Sequence, residues 1–111
     1  MKLPLEITFQ GMPQSVAVKA AAKRHAEKLE TFCPDMIRCR VSLVLDEKHR
    51  HQGKRFHVQF DVTIPGIELV SSTTNDEDVY VALRDASRDT TRQLKDAIQK
   101  RREAARQGTG Q

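Results

Sequence analysis

Between Phe56 and Ile64 the apolar residues Phe56, Val58, Phe60, Val62 and Ile64 alternate without a break with Arg55, His57, Gln59, Asp61 and Thr63. Side chains of an extended strand point to opposite faces in turn, so the segment reads as a strand with one face in a core and the other in water. Such a strand needs partners beside it and a cover over its apolar face. The rest of the chain must supply both.

Partners appear on either side. Ile37, Cys39, Val41, Leu43 and Leu45 alternate with Arg38, Arg40 and Ser42, and the polar segment Asp46 to Lys54, with Gly53, joins this strand to the first as a hairpin loop. Pro65-Gly66 makes a tight turn into a further strand, Ile67 to Thr73, which should pair antiparallel. Near the N-terminus Leu3 to Gln10 alternates in the same way until Gly11 and Pro13 break it.

The cover comes from two helical segments. Ser15 to Phe32 is alanine-rich, with Val18, Ala22, His25, Ala26, Leu29 and Phe32 at helical spacing, and Pro34 marks its end. The last helix has Asn75 or Asp76 as its cap, an acidic start that suits the positive end of its dipole, and a run to about Ala105. The order β-α-β-β-β-α predicts an α+β, two-layer sandwich: a four-stranded, mostly antiparallel sheet with two helices on one face and a solvated opposite face. A chain of 111 residues has room for one such core. Residues 1–106 are therefore expected to form a single domain and 107–111 a disordered tail. With no Trp and 5% aromatic residues the core should be thin.

Net charge is +4 and the pI about 9.3, which points to polyanions without singling one out. Placement of the charge is more informative. Unrolled at 100° per residue, the last helix separates into stripes. Val79, Leu83, Ala86, Thr90, Leu94, Ala97 and Ile98 form an apolar stripe, with Tyr80, read as structural, at its edge. Arg84, Arg88, Arg92, Lys95, Arg102 and Arg106 fall within a sector of about 80° beside an acidic stripe of Asp78, Asp85, Asp89, Asp96 and Glu103. Two readings compete. A solvated helix laced with ion pairs would mix its signs, whereas a nucleic-acid-facing helix accepts repulsion among stacked arginines because phosphates offset it.

The first helix carries Lys19 and Lys23 on one flank of its apolar face and Arg24 and Lys28 on the other, so one pair should extend the basic stripe. Six phosphate contacts would make affinity fall on the order of 10³-fold between about 50 and 200 mM salt. The loop residues Lys48, Arg50, Lys54 and Arg55 form a secondary basic site.

Sites for chemistry are missing from the pattern. There is no Gly-rich phosphate loop, no GxSxG and no HExxH, so no enzyme activity, no catalytic residue and no cofactor is expected. His49, His51 and His57 lack a fourth ligand at a known spacing, and no metal is expected there. Cys33 and Cys39, separated by five residues, match neither a disulfide framework nor a CxxC motif and read as buried free thiols of a reducing cytoplasm. The apolar run at the N-terminus is broken by Pro4 and Glu6, unlike a signal peptide, and no stretch approaches membrane-spanning length.

Several motifs lie in this frame. Asp78-Val79-Tyr80-Val81-Ala82-Leu83 opens the last helix after an acidic run from Asn75, and Arg92-Gln93-Leu94 follows two turns later. Lys28-Leu29-Glu30 precedes Phe32, and one strand ends Ile64-Pro65-Gly66. Together with the element order, these make the chain resemble the short form of the ribosome hibernation-promoting factor and ribosome-associated inhibitor A family, also called the sigma-54 modulation protein family. The resemblance covers nearly the whole chain. It implies a fold similar to double-stranded RNA-binding domains and a partner in the small ribosomal subunit and its 16S-type rRNA. Docking would be at the decoding region, occluding mRNA and tRNA and silencing translation, with no membrane and no small-molecule substrate involved and a monomer off the ribosome. It carries family-like basic positions onto Lys19, Lys28, Arg92 and Lys100. Long family members add a C-terminal dimerisation domain, so this chain is not expected to pair ribosomes by that route. Asp89 stands where the family usually has a lysine, and Ala21, Ala22, Ala26 and Thr90 replace larger apolar residues. A general binder of double-stranded RNA and a protein-interaction regulator of transcription are the alternatives the residues leave open.

Overall fold

Period-two apolar segments flanked by turn residues become strands and period-3.6 segments become helices in a computed structural model, which describes residues 1–46, 55–75 and 78–109, the side chains of 107–109 excepted. The order is β1 (Glu6–Gln10), α1 (Val16–Phe32), β2 (Arg38–Asp46), β3 (Arg55–Ile64), β4 (Ile67–Asn75) and α2 (Val79–Thr109). All four strands form one sheet in the order β1-β2-β3-β4. β1 runs parallel to β2, with Ile7 opposite Val41, because α1 carries the chain back across the sheet before β2 begins. β2, β3 and β4 form an antiparallel meander in which Val41 faces Phe60 and Val62 faces Leu69.

That register puts Cys39, Val41, Leu43, Val58, Phe60, Val62 and Ile64 on the inner face, all of them at most 1% exposed. Each such large side chain contributes about 1.5–3 kcal/mol by leaving water. Ala22, Ala26, Leu29, Leu83, Ala86 and Leu94 from the helices complete the core. The alanines of α1 keep its axis close to the layer below. The outer face is polar: Arg40 pairs with Asp61 at 2.8 Å, Thr8 donates to Ser42 at 3.4 Å, and His57 lies 3.0 Å from Thr74 Oγ1.

α1 starts where the Ser15 hydroxyl accepts the Val18 amide, and it ends before Pro34, with the Cys33 amide donating to the Leu29 carbonyl. The cap of α2 differs from the sequence expectation. Asn75 is still in β4 and accepts the Asp78 amide, whereas Asp78 itself caps the helix, its carboxylate accepting the Tyr80 amide at 2.8 Å and its carbonyl the Ala82 amide. The strand keeps Asn75 because it still pairs with Phe56.

Three other expectations shift. Leu3 to Leu5 stay outside the ladder, since Pro4 has no amide to give, although the Leu3 amide reaches the Ile37 carbonyl at 3.0 Å. Helix α2 continues to Thr109, through the first three residues of the segment expected to be a disordered tail, because nothing before Gly108 interrupts its hydrogen bonds. Phe32 is 40% exposed rather than part of the core, since it sits at the margin of its helix's apolar arc, and Tyr80, expected at the edge of the α2 stripe, is 46% exposed. The hairpin loop with Lys48, Arg50 and Lys54 lies outside the described residues. Among the described residues no helix is long and apolar enough to cross a membrane, and no three metal-ligating side chains gather.

Candidate nucleic-acid interface

On α2 the residues between the apolar stripe and the basic sector turn towards α1, and the two helices meet along a seam. His25 and Lys28 of α1 line one side of a groove of ≈ 470 Å³ there, and Arg84, Ser87, Arg88 and Thr91 of α2 line the other. One turn further on, Lys95 and Arg102 border a second depression with Phe32, Ile98 and Gln99. Lys28, Arg84, Arg88, Lys95 and Arg102 thus follow one another along a single face.

Among the described residues none of Lys28, Arg88, Lys95 and Arg102 forms an ion pair, and Arg84 has only a 3.4 Å contact to its chain neighbour Asp85. Their charges remain available. His25 reports the resulting field: burial, then the charges of Lys28 and Arg24, hold its imidazole below its ordinary value, so it is neutral at neutral pH. Neutral hydroxyls of Ser87 and Thr91 separate the cations, and Thr91 uses its hydrogen on the Ser87 carbonyl.

Four cations without an ion pair among the described residues, with Arg84 and its 3.4 Å contact to Asp85, thus line up along two packed helices, a charge pattern that suits a polyanion with regularly spaced charges. Residues 5–102 match the family described as sigma 54 modulation protein / S30EA ribosomal protein. The chain belongs to this family. A ribosomal subunit interface protein from Coxiella burnetii shares the fold of this S30EA family chain at a TM-score of 0.73 and 15% identity, over 85% of this chain and 96% of that one. The Protein Y N-terminal domain from Thermus thermophilus does so at 0.65 and 16%, over 86% and 97%. No curated relative matches the chain by sequence.

The S30EA chain does not gather every basic residue singled out from the sequence. Of the two pairs on α1, the flank of Arg24 and Lys28 faces the seam side. Lys19 and Lys23 lie on the opposite flank, that of Glu30, which pairs with the N-terminal ammonium. Arg92 sits at the edge of the basic sector nearest the acids and is ion-paired with Asp89. Lys100 projects from the far side of α2 and is held by Asp96 at 3.2 Å. Arg55 opens β3 opposite Asp46, half-buried.

Two further residues of the seam were not expected. His25 and Phe32 both border it, and their spacing from Lys28, three before and four after, places all three on one helical face. That spacing was the available signal. A third depression, ≈ 700 Å³, runs beside Arg92, Gln93, Lys95, Asp96 and Gln99, where the charges are mixed.

Proposed function

We propose that this protein is a ribosome-associated translation inhibitor. It lays the α1–α2 seam on rRNA of the small subunit at the decoding region and thereby occludes mRNA and tRNA. Two lines support the reading: membership of the S30EA family, and a fold shared with a ribosomal subunit interface protein. The single observation that carries it is the row Lys28, Arg84, Arg88, Lys95 and Arg102, drawn from two helices and, among the described residues, left without neutralising carboxylates apart from the weak Arg84–Asp85 contact. The protein acts by filling space in the cytoplasm and performs no reaction of its own. Off the ribosome it is a monomer.

Sucrose-gradient sedimentation with vacant ribosomes tests this. The protein should travel with small subunits at low salt and be released as salt rises, by about 10³-fold in affinity between roughly 50 and 200 mM. Replacing Arg84 and Arg88 together by Glu should abolish comigration, while replacing Lys19 and Lys23 should weaken it little. A protein that stays at the top of the gradient at low salt refutes the reading. Competition by duplex RNA as strong as by ribosomes would favour a general double-stranded RNA binder, and binding indifferent to salt a protein-interaction module.

A further inference from the structure

Phe32 ends α1 beside the seam and keeps 40% of its surface in water. Together with Ile98 it supplies the apolar surface of a depression of ≈ 310 Å³, and Lys95, Gln99 and Arg102 supply the polar rim. Lys95 Nζ stands over the ring, 5.7 Å from its centroid and within cation–π range, so an exposed, flexible cation covers the ring face until a ligand takes its place. Gln99 spends one amide hydrogen on Glu103 at 3.2 Å, and among the described residues its carbonyl oxygen and second hydrogen have no partner.

We propose that this depression receives one unstacked base of single-stranded RNA, with Phe32 as the stacking surface. The inference rests on the RNA-binding reading above and adds the form of RNA that is bound. Duplex RNA presents phosphates and ribose hydroxyls but keeps its base faces stacked, so cations suffice to hold it. An exposed aromatic ring between cations is what a single strand uses, because each base has a flat face to stack and a phosphate on either side. Here all three parts occur together. An arriving base displaces the Lys95 ammonium from the ring and lies on Phe32 and Ile98, the Gln99 amide meets its hydrogen-bonding edge, and Arg102 and the released Lys95 take the flanking phosphates. From Arg88 to Lys95 and from Lys95 to Arg102 the helix rises about 10 Å each time, so the strand continues along the seam towards Arg84 and Lys28.

The chain contains no Trp, so Phe32→Trp creates a single indole reporter at the proposed stacking surface. This variant of the full chain is titrated with a mixed-sequence single-stranded RNA and with the same strand annealed to its complement. Binding is followed in parallel by anisotropy of labelled RNA. The single strand should quench the indole and the duplex should not. Phe32→Leu, which keeps the apolar volume but removes the ring, should bind the single strand about tenfold more weakly, with duplex binding unchanged. If anisotropy shows the single strand bound while the indole signal does not move, the base goes elsewhere and this inference fails, though the cationic seam survives. Equal loss of single-strand and duplex binding in Phe32→Leu also overturns it. Absence of binding to either RNA overturns it too, and cosedimentation with small subunits then shows whether the broader reading falls with it.

Discussion

The Ser71 hydroxyl donates to the Asp89 carboxylate at 2.5 Å and so ties the edge strand β4 to α2. Arg92 and Gln93 approach the same carboxylate from the helix. One residue pair along the strand, Thr73 donates to the Ala82 carbonyl at 2.7 Å. Small polar residues at inward positions of β4 are thus satisfied by the helix above them, which removes the cost of burying them. The residue that departs from the family's usual lysine therefore holds the fold and lies away from the cationic seam.

Ser71→Ala should lower stability by about 1–2 kcal/mol in urea denaturation, because a partly buried charged acceptor loses its best donor. The Ser71 hydrogen bond first, and then that of Arg92, holds the Asp89 carboxyl below the usual carboxylate range. A group whose folded value is depressed stabilises above its unfolded value and loses that contribution as pH falls through the folded one. The gap between wild type and Asp89→Asn should accordingly be full at neutral pH and close in strong acid.

Gly11 and Gly66 offer a paired test of backbone against packing. Both have positive φ, +75° and +78°, yet a Cβ on Gly11 would lie 2.4 Å from the Leu45 carbonyl oxygen, while one on Gly66 meets nothing within 4 Å. Gly11→Ala should cost about 2–4 kcal/mol, the sum of strained dihedrals and a forced shift of neighbouring backbone. Gly66→Ala should cost about 1–2 kcal/mol, from the dihedrals alone. Equal losses in thermal unfolding would refute the distinction.

The strands were legible because alternation such as Phe56 to Ile64 depends only on neighbours in the chain, and the same holds for the stripes of α2. What the sequence left open was azimuth. Arg84 and Arg92 share one sector of α2, yet the first faces α1 and the second turns to Asp89, because the seam falls along one margin of that sector. The choice between the two flanks of α1 likewise depends on how the helices pack on the sheet. Periodicity puts Phe32 with the core residues of α1 although it is 40% exposed, because periodicity does not register where the layer beneath a helix ends. The Asn75 to Asp78 run contained four capping or acidic residues in a row, and only the length of β4 decides that Asp78 is the cap.

His25 titration reports on the seam directly. Burial first, then Lys28 and Arg24, depress its value, so on acidification the unfolded chain takes up the proton before the folded one does. Stability should therefore decline as pH falls from the ordinary histidine value towards the depressed one. Proton NMR should find the His25 midpoint below that of a free histidine and raised part-way by Lys28→Gln. Bound RNA should raise it as well, since phosphates reverse the sign of the local field.

Both thiols should be inert in the native protein. Burial, followed by the charges of Asp61 and Glu30, pushes Cys39 up to about 12. Burial and Asp35 raise Cys33, against the opposing effect of Arg101. Since the thiolate is the reactive form, iodoacetamide at neutral pH should label neither residue until denaturant opens the core. Mass spectrometry of the alkylated protein reads this out, and rapid labelling of Cys33 alone would indicate that the end of α1 opens locally.

The parallel pairing of β1 with β2 sets an order of events during synthesis. β1 leaves the ribosome first but has no neighbour until the whole of α1 and the first residues of β2 have followed, whereas β2, β3 and β4 can each join the strand made just before. The first-made strand of this sheet is thus held in waiting. α2, which supplies four of the five cations of the row, follows all four strands in the chain, so the row is incomplete until the whole sheet has been made.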